Sequence, residues 1–189
     1  MIEGLSKIKN MGIVVDVGAN GGTETMLALN RKKRVVAIEC LSDAYVSLRK
    51  MFKKQKNVTV LHVCAGSKTE IKTLHLADDS SSLYSQNIAN GQELLKYKRK
   101  HNTEFDNKET VVVAKLDDLI KEPVAMIKID VQGYENEVLK GAEFIINKYF
   151  PVIVYEDTKE FYKEDTFKLP SSYKCIQKYG RGDKICFNN

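Results

Sequence analysis

The sequence predicts an α/β protein built on a largely parallel sheet with helices on both faces. Two observations predict it. Apolar, β-branched runs alternate with amphipathic helical patterns from residue 11 onward, and that alternation is the signature of strand–helix–strand units. The runs are continuous rather than alternating in polarity, as strands covered on both faces require. The chain has 189 residues, 43% of them hydrophobic and 29% charged, which suits one folded domain spanning 1–189 with a substantial core. Only 3 prolines and 11 glycines exclude a fibrous or low-complexity chain.

The elements follow in order. Met11 to Val17 reads as a buried strand that breaks at Gly18-Ala19-Asn20-Gly21-Gly22. Thr23 to Asn30 carries Met26, Leu27 and Leu29 in a helical pattern, closed by the cations Arg31 to Arg34 near its C-terminus. Val35 to Glu39 is the second strand. Ser42 or Asp43 can cap the next helix, whose Ala44, Leu48, Met51 and Phe52 share one face. Val58 to Val63 is the third strand, and Ile71 to Leu76 alternates like a short hairpin strand. Residues 78–109 are a long polar excursion, and excursions of this length are usually functional. Val111 to Leu116 and Ala125 to Val131 are strands, the latter delivering Asp130. Asn136 to Lys148 reads as one helix, Pro151 to Tyr155 as a strand ending at Glu156, and Tyr173 to Lys178 and Lys184 to Phe187 as a terminal strand pair.

No apolar run approaches the roughly 18–20 residues that span a bilayer, and Met1 to Lys9 lacks an apolar signal core. A cytoplasmic protein without membrane contact is the expectation. Cys40, Cys64, Cys175 and Cys186 form no CxxC or zinc pattern, so reduced thiols and no metal site are expected. Thirty basic against 25 acidic residues give a net charge of +5, too mild to indicate nucleic acid by itself.

Ligands of such sheets bind at the C-terminal strand ends, which directs attention to Asp16–Gly22, Glu39, Cys64–Gly66, Asp130 and Glu156. The glycine turn lets a ligand approach the backbone, and the helix behind it offers free N–H groups. The spacing is not that of a dinucleotide fingerprint, because Asn20 stands where the second glycine would be. Asp16 at the strand end would repel a pyrophosphate but suits an ammonium, such as that of S-adenosylmethionine. Glu39, 23 residues after Asp16, is placed to accept the ribose hydroxyls of a nucleoside. In Lys128-Ile129-Asp130-Val131-Gln132-Gly133-Tyr134-Glu135, Asp130 can orient or deprotonate a hydroxyl, or cap the next helix.

Val14 to Thr25 closely resembles the first motif of the FkbM family of S-adenosylmethionine-dependent methyltransferases. The resemblance continues through Val36-Ala37-Ile38-Glu39, Asn57-Val58 to Ala65-Gly66, Leu116-Asp117-Asp118-Leu119, and Lys128 to Ala142. It implies a Rossmann-like class I methyltransferase fold, with a mostly parallel seven-stranded sheet and an antiparallel C-terminal edge. It implies a donor site formed by Asp16, Gly18, Ala19, Asn20, Gly21, Gly22, Thr25, Glu39, Cys40, Ala65, Ser82 and Asp130. Asp130, Glu135 and Glu156 become the candidate catalytic groups. The implied activity is O-methylation of a sugar, glycoconjugate or other small metabolite.

The chain departs from the family pattern twice. Cys40 follows the ribose-binding acid where the family usually has proline, and Gln132 stands where it usually has glutamate. Cover over the acceptor site would come from the 78–109 excursion or from a second copy in a homodimer. Arg49, Lys50, Lys53, Lys54 and Lys56 form one basic cluster, and Lys96, Lys98, Arg99 and Lys100, with Tyr97 and His101, form another. A nucleic-acid methyltransferase would use these clusters as a phosphate groove. A non-catalytic module that binds S-adenosylmethionine would fit Gln132 and the missing cover. His62, in an alternating strand, reads as structural.

Overall fold

The computed structural model describes residues 1–76, 107–156, 166–177 and 183–188. In chain order its elements are α1 (Ile2–Ser6), β1 (Ile13–Val17), α2 (Thr23–Asn30), β2 (Val35–Glu39), α3 (Ser42–Phe52), β3 (Val58–His62), β4 (Cys64–Ala65), β5 (Glu70–Leu76), β6 (Asn107–Ala114), α4 (Leu116–Leu119), β7 (Val124–Ile129), α5 (Glu135–Lys140), α6 (Glu143–Tyr149), β8 (Val152–Glu156), β9 (Tyr173–Gln177) and β10 (Asp183–Asn188). The excursion at 78–106, with Ser82 and the basic cluster from Lys96 to His101, lies outside the described residues.

Seven strands form one sheet in the order β3-β2-β1-β7-β8-β10-β9. β3, β2, β1, β7 and β8 are parallel, while β10 runs antiparallel to both β8 and β9. The expected parallel sheet with an antiparallel C-terminal edge is therefore present. The direction of winding reverses between β1 and β7, so the crevice at their C-terminal ends is the ligand-binding switch point.

Strand burial explains the unbroken apolar runs. Every residue of β1, β2 and β7 is buried. Ile13, Val15, Val17, Ile127, Ile129 and Ile153 pack on one side with Val138, Ile145 and Ile146. Val14, Met126, Val152 and Val154 pack on the other with Leu5 and Ala28. α1, which carries Leu5, has no strong sequence signal; at five residues it is too short to show a period.

Three local features differ from the sequence reading. The helix expected over 136–148 is two helices, broken at Gly141-Ala142. A Cβ on residue 141 would lie 2.0 Å from the Gly66 carbonyl oxygen, so only glycine passes this close to the β4 turn. The Asp117 carboxylate restarts the chain by accepting the Phe144 and Ile145 N–H groups at 2.9 and 3.0 Å. Second, the strand expected over Val111 to Leu116 starts earlier and ends earlier, and it takes the short strand β5 as its antiparallel partner outside the main sheet. It is β6, which starts at Asn107 and ends at Ala114, in a separate three-stranded sheet with β4. Leu116, expected at a strand end, begins α4.

The third difference corrects the expectation of reduced thiols. The cysteines are paired as Cys40–Cys64 and Cys175–Cys186. Parallel pairing sets His62 beside Glu39, and the turn at Val63 then brings Cys64 back to 4.5 Å (Cα–Cα) from Cys40. Cys175 and Cys186 are direct cross-strand neighbours, 4.1 Å apart at Cα. Such proximity arises from topology, which sequence spacing does not reveal. The bridges close loops of 24 and 11 residues. Each therefore contributes about 3 kcal/mol by restricting the unfolded chain. Thermal unfolding with and without a thiol reductant checks this: the reduced protein is expected to melt lower by on the order of ten degrees.

No helix among the described residues is long and apolar enough to cross a membrane.

Candidate active site

The first wall of the site is the turn after β1. Gly18 takes φ +74°, and a Cβ there would lie 1.9 Å from the Asp130 carbonyl oxygen. Glycine is thus required for β1 and β7 to end side by side. The Gly18 and Ala19 N–H groups bond the Ile38 carbonyl at 3.0 and 3.2 Å, which ties the turn to β2. Asn20 takes φ +38°. Beyond it, a Cβ on Gly21 would meet nothing within 4 Å, so this backbone is open to a ligand. Gly22 is the N-cap of α2, and Ala19 is buried beneath the turn.

Glu39 holds the turn from the neighbouring strand. One carboxylate oxygen accepts the Asn20 N–H at 2.8 Å and the other accepts the Leu41 N–H at 2.8 Å. Its position at the end of β2 places the acid beside the glycine turn, as the spacing predicts. Each oxygen retains lone-pair capacity for a ligand hydroxyl.

Asp16 is placed differently from the expectation of an open ammonium-binding acid. It is fully buried. One oxygen accepts the Thr25 hydroxyl at 2.6 Å, and the other lies 3.5 Å from the Lys128 ammonium. Burial raises its pKa above the ordinary carboxylate value, against the lowering effects of Lys128 and Thr25. Asp16 and Thr25 therefore support the glycine turn from below. Cys40 is bridged to Cys64, and Ala65 is buried in β4 opposite Ala114.

The second wall follows β7. The Asp130 N–H bonds the Val17 carbonyl at 3.1 Å, and its carboxylate is 48% exposed at the strand end. It borders a cavity of about 350 Å³ with Glu24, Lys128, Gln132, Glu156 and Asp183. The structure thus brings Asp130 and Glu156 together but removes Glu135. That carboxylate is buried and accepts the Val131 and Gly133 N–H groups, both at 3.1 Å, closing the turn into α5. A carboxylate satisfied by its own turn does not reach the cavity, which corrects the reading of Glu135 as a catalytic candidate.

The Glu156 pKa is raised, first by burial and then by Glu135, Asp130 and Asp183. Its contribution to stability is full below the ordinary glutamate value of 4.5 and is lost as pH rises through the raised value. Glu156→Gln, permanently neutral, is expected to melt above the wild type at pH 8, with the gap vanishing near pH 4. Melting curves at the two pH values check this.

Sequence reasoning gave Lys128 no role. The available signal was a single cation in an otherwise apolar buried strand. The register pairs Lys128 with Asp16. His62 stacks on Tyr45 with ring centres 4.5 Å apart, the structural role expected of it. Arg49, Lys50, Lys53, Lys54 and Lys56 are exposed at the far end of α3. That end lies toward the N-terminal edge of the sheet, away from the cavity.

Comparison with known proteins gives this geometry a context. A family model described as "Methyltransferase FkbM domain" matches residues 16–177. A solved FkbM methyltransferase from Methylobacillus flagellatus is similar in fold. Its TM-score is 0.57 and its identity 18%, over 93% of this chain and 43% of that one. An rRNA methylase from Streptococcus thermophilus gives a TM-score of 0.50 and 11% identity, over 98% of this chain and 90% of that one. The chain thus spans less than half of the FkbM structure it matches. No curated protein matches it.

Proposed function

The chain belongs to the FkbM methyltransferase domain family, and from that premise we propose that it moves a methyl group from S-adenosylmethionine to a hydroxyl oxygen of a sugar, glycoconjugate or other small metabolite. The observation that carries the reading is the pair of walls at the switch point. An open glycine turn held by Glu39 stands at the end of β1, and a cavity bordered by Asp130 stands at the end of β7. The donor fits the first wall: Gly21 leaves room for it, and Glu39 offers two oxygens to a ribose. Bound there, S-adenosylmethionine supplies a methyl group on a positively charged sulfur.

The rest is positioning and proton handling by this chain. The acceptor hydroxyl lies in the cavity against Asp130, which orients the oxygen toward the donor side and takes its proton as the new bond to carbon forms. Glu156 lines the same cavity and is the second group able to hold the hydroxyl. A small, uncharged, hydroxyl-rich acceptor suits a cavity bordered by Glu24, Asp130, Glu156 and Asp183. A nucleic-acid backbone does not, and the described basic cluster stands at the other edge of the sheet.

The test is methyl transfer from isotope-labelled S-adenosylmethionine to a panel of sugars, glycoconjugates and RNA and DNA oligonucleotides. Label on a hydroxyl acceptor, with one S-adenosylhomocysteine formed per methyl, is expected. Label on an oligonucleotide, falling steeply with salt, would replace the acceptor reading.

A further inference from the structure

We propose that Lys128 and Gln132 are positioning residues that grip the Asp130 carboxylate from two sides, and that Lys128 joins this grip to the donor turn. The proposal rests on the reading of Asp130 as the group that handles the acceptor proton.

Lys128 interrupts a strand in which every residue is buried. It shares its register with Asp16 on β1 and Val154 on β8, so its stem runs along the face packed by Val14, Met126 and Val152. Methionine would fill that space without desolvating a charge. The ammonium instead emerges at the C-terminal edge among three oxygens. It donates to the Gly18 carbonyl at 3.1 Å and lies 3.5 Å from an Asp16 oxygen and 3.6 Å from an Asp130 oxygen. An ammonium has three N–H donors, enough for these partners on both walls of the site.

Gln132 supplies the other arm. Its φ of +53° is left-handed, which a glutamine adopts only at some cost. In that conformation its side-chain amide donates to the second Asp130 oxygen at 3.0 Å. The amide is neutral.

The surroundings make this grip consequential. Asp16 from β1, Glu24 from α2, Glu135 from α5, Glu156 from β8 and Asp183 from β10 all place acids near Asp130 or on its cavity. Met1 also borders the cavity, and Lys128 is the one cationic side chain among its described lining residues. Lys128 beside one oxygen and Gln132 on the other therefore fix the orientation of the Asp130 carboxylate.

The experiment follows the Asp130 carboxyl carbon by NMR in protein labelled at aspartate, with the signal assigned by its loss in Asp130→Asn. At one fixed neutral pH, Lys128→Met is expected to shift that signal from its wild-type position, because one Asp130 oxygen loses its ammonium neighbour. Gln132→Glu is expected to shift it as well, because the other Asp130 oxygen loses its amide donor. Gln132 is exposed, so this variant tests the grip even if Lys128→Met does not fold. In that event Lys128→Gln, a donor without charge, takes its place. A signal unmoved from the wild type in both variants overturns the proposal. Titration of the same samples with S-adenosylmethionine reads the link to the donor turn. About tenfold weaker binding is expected for Lys128→Met and none for Gln132→Glu. Unchanged binding in Lys128→Met overturns the link. Failure of the wild type to bind the donor would overturn the proposed function, while the carboxyl signal would still decide the grip.

Discussion

Glu39→Ala is expected to weaken S-adenosylmethionine binding by about a hundredfold or more. The carboxylate is asked to do two things. It fixes the donor turn through the Asn20 and Leu41 N–H groups, and it offers its remaining lone pairs to the ribose. A hydrogen bond to a charged group contributes about 1.5–3 kcal/mol. Losing two such bonds to the ligand gives about 3–6 kcal/mol, and a loosened turn adds to the loss. Glu39→Gln keeps one acceptor oxygen and should fall between alanine and wild type. The fold should survive, because Glu39 ends its strand and the sheet pairings of β2 do not use its side chain. Calorimetric titration reads the affinity directly. Wild-type affinity in Glu39→Ala would move the ribose to another residue.

Asp130→Asn separates the second wall from the first. The amide has nearly the same shape and keeps the N–H to Val17 contact, since that bond uses the backbone. Donor affinity is expected to stay within about threefold of wild type, while turnover falls by about a hundred- to ten-thousandfold, the usual range for loss of a general base. The check is single-turnover methyl transfer to an acceptor found in the panel, beside donor titration. Equal losses of affinity and turnover would make Asp130 part of the donor site instead.

Much of the architecture was legible in the sequence because strands buried on both faces leave unmistakable apolar runs. β1, β2, β7 and β8 were located this way, and the turn at Gly18–Gly22 followed from its glycines. Glu39 and Asp130 were legible because each stands where a strand runs into a turn, Asp130 half-exposed and Glu39 buried against the glycine turn. What escaped depends on contacts distant in sequence. Gly141 breaks a helix because it meets Gly66, and Asp117 caps the piece that follows. Strand register sets Cys175 beside Cys186, and the turn at Val63 brings Cys64 back to Cys40. Glu135 reads as an available acid in the sequence, yet a local turn consumes it. Asp16 occupies the predicted place, but a lysine 112 positions away and a threonine on α2 claim its oxygens. Burial decides which acids face a ligand, and periodicity alone does not report it at strand ends.

The central claim is that the turn after β1 and Glu39 form a site for a sulfur nucleoside. Calorimetric titration of the folded protein with S-adenosylmethionine, S-adenosylhomocysteine and NAD tests it most directly. The account predicts saturable one-to-one binding of both sulfur nucleosides and none of NAD, whose pyrophosphate the Asn20-containing turn is not shaped to take. Binding of NAD, or of neither sulfur nucleoside to protein free of co-purified ligand, would contradict it.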